Sequence, residues 1–210
     1  HIGVSLWELK TDLFYKHLPP TLLIILIGLI LSIILGVSLA ILMHFNRWIE
    51  QALYPLLLAS QTIPVIALAP IFVLWFGYSI WSKVMMTLLL TFFPITISTI
   101  DGLRASSKAM EELFLTLGAK RKDIFIKLQL PNALPHFFSG LKVAIPLSVI
   151  GAAIGEWLGA QAGLGYFSRR MMTQFDGAAV FAPIVLLSVV GIIIFLLAIL
   201  LERRILKWRN

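Results

Sequence analysis

The sequence predicts an all-α protein threaded several times through a membrane, and three observations carry that reading. Apolar residues make up 60% of the 210 positions and charged residues only 13%, whereas soluble globules hold about one half apolar and about a quarter charged. The apolar residues gather in five runs of membrane length, 21–43, 53–76, 83–100, 135–158 and 178–201. Lysine and arginine are spread unevenly over the segments between them, and the richer side of such a chain faces the cytoplasm.

Residues 1–20 are too polar for a signal peptide. They are read as an extracytoplasmic segment ahead of a transmembrane domain over 21–210. Because the chain opens on His1 rather than methionine, a sixth span lost from its start is a further expectation. The run 21–43 holds 23 residues, about 35 Å at roughly 1.5 Å each, enough for a hydrocarbon layer of about 30 Å with some tilt. Gly28 and Gly36 interrupt it. Small residues let neighbouring helices approach closely, so a packing seam and ordinary transmembrane glycine are both open. In the loop that follows, Trp48 suits an interface and Arg47 the inner side.

In the run 53–76, Pro55, Pro64 and Pro70 each remove a backbone donor and crowd the preceding turn, so a kink or break is predicted. The freed carbonyls are tolerated only against protein or water. Ser60, Gln61 and Thr62 precede the middle proline, either lining a cavity near mid-membrane or bonding the carbonyls that Pro64 releases. The run 83–100 is the shortest and sets Pro94 among Thr91, Phe92, Phe93 and Thr96. Aromatic rings beside hydroxyls suit a planar polar solute, and they suit plain helix packing too. Asp101-Gly102 closes this run at the cytoplasmic face.

The run 135–158 contains Ser148, another pathway candidate, and two charges, Lys142 and Glu156. Charges within a membrane are costly and so are functional candidates. Lys142 lies two turns from the inner end and can snorkel. Glu156 is about 21 Å further along a helix, too far to pair with it, and is either an interfacial carboxylate or an outer-gate residue. The stretch GAQAGLGYFSRRMMTQFD is too glycine-rich for a continuous helix. Within it Gly163, Gly165 and Tyr166 fit a re-entrant or docking turn. The last run ends in ERRILKWRN, a basic inner anchor with Trp208 at the interface.

With 101–134 as an inner loop, the inner segments carry eleven lysines and arginines. The outer ones carry five, Lys10, Lys16, Lys83, Arg169 and Arg170. The C-terminus then lies in the cytoplasm. The net charge of +7 reads as this bias together with attraction to the lipid bilayer. Nucleic-acid binding would need a basic face on a folded domain and is not expected. Cysteine is absent, so no disulfide, thiolate nucleophile or cysteine metal site is possible.

The loop itself is the most informative segment. About thirty mostly polar positions separate two runs that a few turn residues could join, and long ordered connections are usually functional. Leu113, Phe114 and Leu117 form an apolar stripe on a short predicted helix. Ser107 can cap it, and Glu111 and Glu112 suit the positive end of its dipole. Gly118 stops it. A second short helix is predicted from Arg121, with Ile124, Phe125 and Leu128 on one side, until Leu130-Pro131 ends it. Two helices joined by a glycine turn, with the basic cluster Lys120-Arg121-Lys122, make a knob suited to a groove on another protein.

At these residues the chain resembles the permease subunits of binding-protein-dependent ABC importers. Their signature runs Glu-Ala-Ala, three residues, Gly, nine residues, Ile, one residue, Leu-Pro, and Glu112, Gly118, Leu128, Leu130 and Pro131 stand at that spacing. Leu113 and Phe114 replace the usual alanines and Leu128 the isoleucine. SQTIPVIALAPIFVLWFG, FFPITISTIDGLR, LPNALPHFFSGLKVA and GEWLGAQAGLGY look like the nitrate, sulfonate and taurine branch, the last two most like carriers of a thiamine-precursor pyrimidine. The resemblance implies a type I importer permease in a bacterial inner membrane, pairing with a second copy as a homodimer. It also implies two cytoplasmic ABC ATPase subunits, which hold the ATP and magnesium, and an extracytoplasmic solute-binding protein. The coupling residues it implies are Glu111, Glu112, Leu113, Phe114, Leu117, Gly118, Ala119, Lys120, Leu130 and Pro131. Gln61, Thr62, Phe92, Phe93, Thr96, Ser148 and Glu156 remain candidates for the solute pathway.

The chain has no Gly-x-x-x-x-Gly-Lys-Ser/Thr loop to cradle ATP, so no cofactor and no ATPase site of its own are expected. An ion-coupled secondary transporter is the alternative. It would typically show internal repeats and buried ionisable residues at the midplane. A membrane enzyme would need converging catalytic groups. The four histidines, His1, His17, His44 and His136, sit scattered at the ends of runs and match no metal spacing.

Overall fold

Small residues and threonines spaced along the long helices set how closely those helices approach, and so set the architecture. The computed structural model describes residues 12–175 and 177–209; residues 1–11 of the N-terminal segment lie outside the described residues. A π-helical turn, Asp12–His17, leads into α1 (Leu18–Phe45). Prolines open α1, where the missing N–H has no intrahelical partner to lose. Asn46 ends α1 and caps α2 (Arg47–Ser60), accepting from the N–H groups of Trp48 and Ile49 at 2.9 and 3.3 Å. The chain continues through α3 (Val65–Phe76), α4 (Ile80–Arg104), α5 (Lys108–Thr116), α6 (Arg121–Ile124), α7 (Leu130–Gly159), α8 (Leu164–Thr173) and α9 (Gly177–Ile205). No strand occurs among the described residues.

Helices α1, α4, α7 and α9 are each long and apolar enough to cross a membrane, and α2 with α3 reaches that length only as a pair bent by 103°. The second predicted run is therefore an elbow rather than one helix. Ser60 and Thr62 give their hydroxyls to the carbonyls of Leu57 and Ala59, both at 2.7 Å, just ahead of Pro64. Two carbonyls of the last turn of α2 are answered locally.

Contact register fixes the directions of the long helices. A Cβ added to Gly28 would meet Thr87, and one added to Gly36 would meet Thr96; Ser32 bonds Thr91 between them at 2.5 Å. Both numbers rise together, so α1 and α4 run parallel. Chain that leaves one end of α1 must then return before α4 begins, and the α2–α3 elbow makes that return. Along α4 and α7 the register falls instead, Gly102 facing Ala133, Gly140 facing Pro94, Gly151 facing Thr87 and Gly155 facing Lys83. That pair is antiparallel. Lys142 with Glu202 and Val149 with Gly191 make α7 and α9 antiparallel as well. The four long helices share one apolar core that includes Ile25, Leu29, Val84, Ile95, Ile145 and Val190.

Two predicted boundaries are corrected. Leu130-Pro131 does not end a short helix: α6 runs through a π-helical turn, Phe125–Gln129, straight into α7. Proline at position 131 cannot donate, and the N–H of Leu130 reaches back five residues to the Phe125 carbonyl. The widened turn relieves the proline without breaking the rod. In the glycine-rich stretch after α7, the irregular part ends at Gly163 and α8 follows over Leu164–Thr173.

Candidate functional site

The knob at one end of the bundle is built from α5, a glycine turn and α6. Ser107 stands at the N-cap of α5, but it caps through its carbonyl, which accepts from Met110 and Glu111 at 3.0 and 3.1 Å, and not through the predicted hydroxyl. The side-chain bond comes one residue earlier, from the Ser106 hydroxyl to Glu111. The Gln129 amide donates to the same carboxylate at 2.9 Å. These two donors hold the Glu111 carboxyl below the usual range, the Ser106 bond acting most strongly. Gly118 ends the helix at φ +81°, with the N–H of Ala119 closing onto the Phe114 carbonyl at 3.0 Å. This left-handed turn suits glycine.

The knob is fastened to the bundle from behind. His44 near the end of α1 bonds Gln129 at 2.9 Å, and the Phe45 and Phe125 rings pack 4.8 Å apart. A cavity of about 290 Å³ lies between His44, Phe45, Gln129, Glu111, Leu115 and Arg121. Its far side turns outward: Glu112, Leu113, Gly118 and Lys120 are exposed, and Leu117 is 78% exposed. Phe114, Ala119 and Pro131 are half-buried, and Leu130 lies at the margin of exposure. Leu113 and Leu117, one turn apart, form an exposed apolar edge. Sequence reasoning missed His44, Ser106 and Gln129, whose roles depend on contacts across more than one element.

The pathway candidates are dispersed. Gln61 and Thr62 are exposed in the elbow. Phe92 and Phe93 are half-buried against Ala40, Met43, Leu57 and Ile100. Thr96 and Ser148 are buried, their hydroxyls bonded to the carbonyls of Phe92 and Ile145 at 2.7 and 2.6 Å. Glu156 is fully buried, accepting from the Thr21 hydroxyl at 2.6 Å and the Gly165 N–H at 2.7 Å. It is a packed carboxylate, not one exposed at an interface. Lys142 does not snorkel alone; it pairs with Glu202 at 2.9 Å, a partner in the last turn of α9 that spacing could not reveal.

Comparison with known proteins gives concordant findings. The family model described as "Binding-protein-dependent transport system inner membrane component" matches residues 28–207. The formylaminopyrimidine transport permease protein ThiX of Halalkalibacterium halodurans is 62% identical over 203 residues, 97% of this chain and 81% of that protein. The putative aliphatic sulfonates transport permease protein SsuC of Bacillus subtilis is 33% identical over 198 residues, covering 93% and 71%. Among solved structures, inward-facing conformations of the MetNI methionine ABC transporter superpose with a TM-score of 0.73 at 18% identity, over 91% of this chain and 93% of that one.

Proposed function

The chain belongs to the family of binding-protein-dependent transport system inner membrane components, a multi-pass permease subunit of an ABC importer, and from that premise we propose how it is coupled and what it carries. The knob of α5 and α6 docks into a cytoplasmic ATPase subunit, with Leu113 and Leu117 entering a groove and Glu111, Glu112, Phe114, Ala119, Lys120, Leu130 and Pro131 shaping the contact. The observation that carries this reading is the combination of an exposed apolar edge with a rear face tied by His44, Gln129 and Phe125. A surface held rigidly from behind and left bare in front is suited to receiving force.

Two copies form the solute pathway, and the knob faces the cytoplasm, as does the C-terminus. The exposed apolar face of the elbow, which includes Leu74 and Trp75, is the natural surface for the second copy. The domain runs over 21–210, with 101–134 as its coupling segment. A solute-binding protein delivers the solute on the far side. Identity of 62% to a formylaminopyrimidine permease favours a small substituted pyrimidine over a sulfonate, taurine or nitrate.

The buried charges do not favour an ion-coupled carrier. Lys83 is the fourth residue of α4 and Glu156 the fourth from the end of α7, so neither stands at the midplane. The test is solute-stimulated ATP hydrolysis by the reconstituted complex with its binding protein. A formylaminopyrimidine should stimulate it and taurine should not. Gly118→Val forces a β-branched residue to positive φ, a strain of roughly 1–3 kcal/mol, and is expected to abolish stimulation while membrane insertion stays unchanged. Retained stimulation would overturn the coupling assignment.

A further inference from the structure

At the end of the bundle opposite the knob, the first N–H groups of α8 are satisfied by three side chains from distant parts of the chain. Gly163 donates to His17 Nδ1 at 3.1 Å, Leu164 to Thr21 Oγ1 at 2.9 Å and Gly165 to Glu156 Oε2 at 2.7 Å. All three side chains are buried. Helix starts normally find such acceptors in their own flanking residues; here the cap ties α8 to the start of α1 and the end of α7. The turn is shaped to the carboxylate, since Gly163 has φ +122° and a Cβ there would run into Glu156.

Two of the three acceptors titrate, and they respond differently to a proton. The Nδ1 of His17 accepts a hydrogen bond, which a neutral ring can do and an imidazolium cannot. A protonated His17 therefore loses Gly163. Glu156 is buffered by its neighbour: the Thr21 hydroxyl, which donates to it at 2.6 Å, has the His17 carbonyl as a second acceptor at 3.1 Å. A proton on Glu156 Oε1 stays on the acid and is donated as a hydrogen bond to Thr21 Oγ1, whose own hydrogen turns to that carbonyl, leaving Oε2 free to keep Gly165. Among the described residues, the other charged or titratable groups facing the cluster are Lys83 of α4, which donates to the carbonyls of Tyr78 and Ser79 at 2.9 Å each, and two residues of α8. Tyr166 stacks on His17 at 6.1 Å, and Arg169 bonds the Trp157 carbonyl.

We propose that His17, Thr21 and Glu156 are positioning residues forming an acid-sensitive fastening of α8, in which protonation of His17 releases the Gly163 end while Glu156 retains the Gly165 end. Helix α8 packs Leu164, Phe167 and Met171 against Ala179, Ala182 and Leu186 of α9. Release at its start loosens the connection between α7 and α9. That the proton comes from outside the cell rests on the orientation proposed above; the fastening itself does not.

Hydrogen exchange of the full chain in lipid nanodiscs tests this without any transport assay. After correction for the intrinsic pH dependence of exchange, protection of the peptide covering 160–168 is expected to fall about tenfold or more between about pH 8 and about pH 5, the loss of one buried hydrogen bond. Peptides of α4 should not follow. His17→Gln supplies an amide oxygen that does not titrate, and is expected to keep the protection and abolish its pH dependence. Glu156→Gln, whose amide can accept from Gly165 and donate to Thr21 as the protonated acid does, is expected to leave the pH response in place. Equal protection of the native chain at both pH values would overturn the proposal, as would an unchanged pH response in His17→Gln.

Discussion

Single residues in this chain are constrained by what lies opposite them in another helix. Gly163 is held at positive φ against a carboxylate, so Gly163→Ala combines backbone strain with a steric clash. A loss of roughly 2–4 kcal/mol is expected, read as a lowered thermal unfolding midpoint in detergent. Gly177, with nothing near its missing Cβ, is the control, and its alanine variant should unfold within about 0.5 kcal/mol of the native chain. Glu111 bears on acid stability. Its folded carboxyl titrates lower than in the unfolded chain, so it binds fewer protons when folded, and its contribution is present above the ordinary glutamate range and lost as pH falls through the depressed value. Amide exchange in α5 should accelerate there beyond its intrinsic rate, and Glu111→Gln should remove that acid step. The sequence showed the glycine stop and the acidic first turn, because both are local. It did not show Ser106, Gln129 or His44, since nothing in their spacing tells that the first two meet on one carboxylate while His44 holds Gln129 from behind.

Among elements, the long helices were legible from their apolar runs, and the break in the second run from its three prolines. The continuity of α6 with α7 was not. A Leu-Pro pair ordinarily stops a helix, but one widened turn of five residues, 125–129, absorbs it, and that choice is made by packing rather than by propensity. Helix α8 was hidden in the same way. Its glycines argue against a helix, while the cap from His17, Thr21 and Glu156 supplies from outside what the local sequence lacks. The ion pair of α7 with α9 is testable as a pair. Lys142→Met strands the Glu202 carboxylate against apolar surface and should cost roughly 1–3 kcal/mol, less than a fully buried pair because both groups keep some exposure. Adding Glu202→Leu should recover most of that loss in the unfolding midpoint. An additive double variant would show that the two charges act independently.

For the molecule as a whole, the parallel register of α1 and α4 requires the intervening elbow to carry the chain back across, which gives five passages and sets the knob and the α8 cap at opposite ends. The native chain contains no cysteine, so sidedness can be read with single thiols. Leu117→Cys on the knob and Phe175→Cys beyond α8, at 78% and 96% exposure, should react with a membrane-impermeant reagent from opposite faces. In intact cells Phe175→Cys is expected to label and Leu117→Cys only after permeabilisation. Labelling of both from one face would contradict the register. The helical rod from Arg121 to Gly159 is 39 residues long, about 58 Å at 1.5 Å per residue, and its two ends carry the knob's second helix and the carboxylate that grips α8. Pivoting that rod by about 5° at its knob end would carry its far end sideways by about 5 Å by the same geometry, more than the length of any hydrogen bond at the grip. A stroke too small to notice at one membrane face is therefore a bond-breaking excursion at the other.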